Sequence, residues 1–113
     1  MMNHEIKKMI VDAIMKVVSD APTRQYIKYN PYSYMSNLQY NNQSKITKEK
    51  FDIWLNYALS VLKIISEDID IGLYATLRDN VQNIANQPSN NYELKINSIC
   101  QLLLSFARQI INL

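Results

Sequence analysis

The chain has 113 residues, 48% of them apolar and 19% charged, with a formal net charge of +2, one cysteine, one histidine and one glycine. That length supports one domain with one core, burying roughly two-thirds of the unfolded surface, and the composition points to a soluble globular chain rather than a disordered or membrane one. No apolar run approaches the ~18 residues of a membrane span, a single cysteine excludes an internal disulfide, and one cysteine with one histidine cannot complete the usual zinc site.

A single glycine, Gly72, argues against a hairpin-rich β fold, whose tight turns draw on glycine. The expectation is therefore an all-α chain with Asn, Ser and Pro connections. The first helix runs from an Asn3 cap to about Ser19 and buries Ile6, Ile10, Ala13, Ile14, Val17 and Val18. Lys7, Lys8 and the run after them invite a signal-peptide reading. Asp12 and Lys16 interrupt that run and no small-residue cleavage site follows, so the expected location is the cytoplasm. Pro22 closes the helix.

Residues 23–46 form the least regular stretch and hold five of the eight tyrosines: Tyr26, Tyr29, Tyr32, Tyr34 and Tyr40. Asn30-Pro31 signals a short helix from Pro31 to about Gln39, because proline disfavours the α conformation at Asn30 and fits the first helical position itself. A polar loop, Asn41 to Ser44, follows. This stretch is expected to be a short helix or irregular Tyr-rich arm.

Thr47 is positioned to cap a helix from Lys48 to about Glu67. Phe51, Trp54, Leu55, Ala58, Leu62 and Ile65 share its principal apolar face, and Ile53, Tyr57, Val61 and Ile64 widen that face well beyond an ordinary surface helix. Glu67, Asp68 and Asp70 oppose the dipole at a helix end but favour a helix start, so a break is expected with Asp68 or Asp70 as the next cap. A helix from about Ile71 to Asn86 follows, with Leu73, Leu77, Val81 and Ile84 inward. Asn90 with Glu93 three residues later resembles a capping box for the terminal helix, whose apolar arc of about 200° includes Ile96, Ile99, Cys100, Leu103, Phe106, Ala107, Ile110 and Ile111. Leu102 and Leu104 widen that arc from both edges.

The predicted architecture is one domain, residues 1–113: a compact bundle of four main helices, with the Tyr-rich arm at residues 23–46 and the C-terminal helix central. Two of these helices carry more apolar surface than a small bundle covers easily. Either they pack face to face with the other two flanking, or one presents apolar residues to a partner, including a second copy in a homodimer.

Chemistry is hard to find in the sequence. Cys100 lies on an apolar arc and His4 near the N-terminus, so neither nucleophile nor base is positioned by a third group. The acids Glu67, Asp68 and Asp70 lack a further oxygen ligand at fixed spacing and read as helix caps. No phosphate-binding glycine loop or metalloprotease helix motif occurs. The expectation is a non-enzyme without metal or cofactor.

Two surfaces remain. Arg24, Tyr26, Lys28, Tyr29, Tyr32, Tyr34 and Tyr40 mix cations with aromatic rings, a composition common at protein interfaces and also suited to stacking single-stranded nucleic acid. Leu102, Leu104 and Ile111 form a possible apolar interface. The function expected from these features is a small protein-binding module (an adaptor, inhibitor or immunity-type protein) acting by stoichiometric association. The alternative is a helical nucleic-acid-binding protein, such as a small ribonucleoprotein subunit or mobile-element regulator. Heavy use of Ile, Asn, Lys and Tyr points to a low-GC bacterial or phage source.

Overall fold

Four helices with their starts fixed by side-chain caps make up most of what the structure shows. It is a computed structural model and describes residues 3–22 and 46–113. Helix α1 spans His4–Ser19, with the Asn3 carboxamide oxygen accepting from the Glu5 amide at 2.8 Å. Helix α2 spans Lys48–Ile65; the Thr47 hydroxyl accepts from Lys50 N–H at 3.2 Å. Helix α3 spans Ile71–Ala85 behind the Asp70 carboxylate, and α4 spans Tyr92–Ile111 behind Asn91. Each cap satisfies one of the four amide donors that a helix N-terminus leaves without an intrahelical partner.

Two boundaries differ from the sequence expectation. The α-helix of α2 stops at Ile65, and Ser66–Asp68 tightens into a 3-10 turn before Ile69 becomes extended. The terminal helix is capped by Asn91 rather than Asn90: its side chain accepts from Leu94 N–H at 3.0 Å. Asn90 also stands three residues before a glutamate, and the sequence alone does not separate two adjacent asparagines.

The helices alternate in direction. Ile111, at the end of α4, lies with His4 to Asp12 at the start of α1, so these two run antiparallel. Leu73 to Asn80 of α3 line a groove with Leu102 to Gln109 of α4, and Trp54 near the start of α2 bonds to Val17 near the end of α1. The result is an up-down-up-down bundle in which α1 and α4 make the most extensive close approach and α3 and α4 the next. α2 and α4 lie across the core from each other, flanked by α1 and α3. They meet at their first turns, where the Phe51 and Tyr92 rings sit 5.4 Å apart. No strand occurs among the described residues.

The core joins all four helices through Ile10, Ile14, Val17, Trp54, Leu62, Val81, Ile99, Leu103 and Ile110. Ile46 and Phe51 are both buried, in the two positions of a hydrophobic staple around the Thr47 cap. The remainder of the expected Tyr-rich arm, residues 23–45, lies outside the described residues.

Two polar contacts are built into this apolar frame. The buried Trp54 indole donates to the Val17 carbonyl at 3.0 Å, serving one of the acceptors that the last turn of α1 leaves open. Lys95 is 6% exposed, and its ammonium donates to the carbonyls of Ala85 at 3.0 Å and Gln87 at 2.7 Å. It therefore places a positive charge at the C-terminal end of α3, where the helix dipole is negative. The Phe51 and Tyr92 rings lie 5.8 and 5.4 Å from the same nitrogen and add cation–π attraction.

Candidate functional site

Successive residues of a helix step by 100°, so a helix that packs on two neighbours has two edges whose side chains face the grooves, and an outer side left to solvent. In α2 the residues Ile53, Tyr57, Val61 and Ile64 recur at four-, four- and three-residue intervals and fall on the edge toward α1. The position of that edge is fixed by Tyr57, whose hydroxyl donates to Asp20 Oδ2 at 3.2 Å across the two helices. Ile53 is 65% exposed and Ile64 70%, with Tyr57 and Val61 half-buried between them. Met9 projects from the α2-facing edge of α1, 55% exposed. Counting from the Trp54–Val17 bond at ~1.5 Å per residue brings Met9 to about the level of Ile64.

An apolar stripe thus runs along the α1–α2 face, roughly 17 Å from Ile53 to Ile64. At its upper end it opens into a groove of ≈ 470 Å³ lined by Asp20, Pro22, Lys50, Ile53, Trp54 and Tyr57. The rim carries one acid and one base. Desolvation first, and the bond to Asp20 second, push the Tyr57 phenol above its ordinary value. A raised phenol pKa favours the neutral form in the folded chain, so this stabilising effect is complete below the ordinary tyrosine value and is lost as alkaline pH rises through the higher one.

The residues expected from sequence to form an apolar interface separate in space. Leu102 is half-buried on the α3 side of α4, packed against the core beside Leu73, Leu77 and Phe106. Leu104 is half-buried, and wheel stepping puts it with Ile111 on the α1 side. Ile111 is 58% exposed and forms one wall of a smaller groove, ≈ 290 Å³, whose other wall is His4, Lys7, Lys8, Val11 and Asp12. The three leucine and isoleucine positions therefore serve two different seams of the bundle. Arg24, Tyr26, Lys28, Tyr29, Tyr32, Tyr34 and Tyr40 all lie outside the described residues.

Cys100 is half-buried, and burial pushes its thiol above the ordinary value, which lowers the thiolate population a nucleophile needs. Among the described residues no three His, Cys, Asp or Glu side chains come together in a way that could hold a metal ion. No helix among them is long and apolar enough to cross a membrane.

Met9 is the member of the α1–α2 face that sequence reasoning missed. Its signal was its place between Ile6 and Ala13, one edge over from the buried line of Ile10, Ile14 and Val17. What the chain offers chemically is an apolar stripe with a charged rim on a rigid two-helix platform. No protein-family model, no curated protein and no solved structure matches the chain.

Proposed function

We propose that this chain is a protein-binding module that acts by stoichiometric association, as an adaptor, inhibitor or immunity-type protein does, and that the α1–α2 face is its docking surface. The observation that carries this reading is the stripe Ile53–Tyr57–Val61–Ile64, four apolar side chains at helical spacing on one edge of α2 with both ends exposed. Contiguous exposed apolar surface with a polar rim is characteristic of protein interaction sites, whereas singly scattered apolar residues are not. Its lining is apolar, with Asp20 and Lys50 of opposite sign at the upper groove, which suits a protein surface better than a phosphate backbone.

The test is affinity capture from cells that make the protein, comparing the wild type with Ile53→Asp/Ile64→Asp. Both positions are exposed, so the variant keeps its helix content by circular dichroism. The wild type is expected to retain a second chain, whether another protein or an untagged copy of itself, in near-equimolar amount and the variant to lose it. Recovery of the same proteins by both chains, in trace amounts, refutes the reading.

A further inference from the structure

The two ends of the docking stripe are symmetric about its midpoint. Ile53 and Ile64 end it, and Lys50 and Glu67 stand three residues beyond them, one before and one after. Both are exposed, and neither takes part in an ion pair among the described residues, where the pairs are Lys48 with Asp52 and Arg78 with Asp79. A cation beyond one end of an apolar stripe and an anion beyond the other make it complementary to an inverted copy of itself.

We propose that the occupant of the α1–α2 face is a second copy of this chain, related by a two-fold axis that passes beside α2, perpendicular to it, at the level of Ala58 and Leu59. The inference rests on reading that face as a docking surface and names what docks there. In this register the two α2 helices run antiparallel. Ile53 lies opposite Ile64 of the second copy, Tyr57 opposite Ser60, Val61 opposite Asn56, and Lys50 opposite Glu67, each contact occurring twice. A parallel arrangement would set Lys50 against Lys50 and Glu67 against Glu67, so the charges select the antiparallel one. The apolar residues supply the adhesion, while the two exposed ion pairs chiefly fix orientation and register.

Sedimentation equilibrium of the full chain reads this directly. The wild type is expected to weigh two chains, and Ile53→Asp or Ile64→Asp one chain, with the helix content kept in both. Lys50→Glu and Glu67→Lys should each weaken the dimer by about ten-fold, since each change breaks two equivalent ion pairs. The double variant Lys50→Glu/Glu67→Lys should recover most of the wild-type affinity, because it restores both pairs with their signs exchanged. A wild type that weighs one chain at every concentration reached overturns the proposal, as does a double variant no tighter than the single ones. A monomer that captures a different protein through Ile53 and Ile64 refutes self-pairing while the docking reading stands. A dimer broken by these substitutions, with no other protein captured, supports self-pairing and confines the docking reading to it.

Discussion

Replacing Trp54 by alanine is expected to lower the free energy of unfolding by about 3–5 kcal/mol, the range for deleting a large buried aromatic side chain. At 113 residues that corresponds to a fall in melting temperature of roughly 13–21 °C. Trp54 is 3% exposed and sits where α2 leans on the end of α1, so no neighbouring side chain refills the space without moving a helix. Trp54→Phe separates the two parts of the effect. The ring is largely kept, but the Val17 carbonyl loses its donor, and a buried acceptor left unpaired costs about 1–3 kcal/mol. Urea titration of the three chains measures both steps. A loss below about 1 kcal/mol for Trp54→Ala would show that the indole is not a core element.

Lys95→Met is the second large effect, expected at about 2–4 kcal/mol. Methionine preserves the unbranched apolar stem and removes the ammonium, so what is lost is the pair of charge-assisted bonds to Ala85 and Gln87 and the attraction to the Phe51 and Tyr92 rings. The control is Lys63→Met on the exposed side of α2, expected to change stability by no more than about 0.5 kcal/mol. Equal effects of the two substitutions would mean that Lys95 contributes only as a surface lysine does.

How far each feature could be read in advance follows from the range of the physics that sets it. The caps at Asn3 and Thr47 depend on a side chain and an amide two or three residues away, so they are visible in the sequence and the structure bears them out; of the two candidates Asp68 and Asp70 it selects Asp70. So are the buried faces: Ile10, Ile14 and Val17, then Phe51, Trp54, Ala58, Leu62 and Ile65, lie inward as their periodicity requires. Lys95 was not read, because on a helical wheel a lysine counts as polar. Its signal was register: it shares a line with Ile99, Leu102 and Phe106, and a cation on such a line has to find acceptors from another element. The division of labour between Ile53–Ile64 and Leu102–Leu104 was not visible either. Periodicity gives the width of an apolar arc but not which edge a neighbour covers. That depends on which helices are adjacent, a property of the whole bundle.

The two polar contacts in the core differ most in how much chain they enclose. Lys95 reaches Ala85 across 10 residues, whereas Trp54 reaches Val17 across 37. Bringing together the ends of the longer segment costs an unfolded chain about 1 kcal/mol more in closure entropy, so the α3–α4 hairpin has the cheaper route to its native contacts. Assembly is therefore expected to begin in the C-terminal half, with α1 and α2 docking onto a hairpin already in place. In stopped-flow kinetics this hypothesis requires Lys95→Met to slow refolding, and Trp54→Phe chiefly to speed unfolding; the reverse partition would place the nucleus at the other end of the chain.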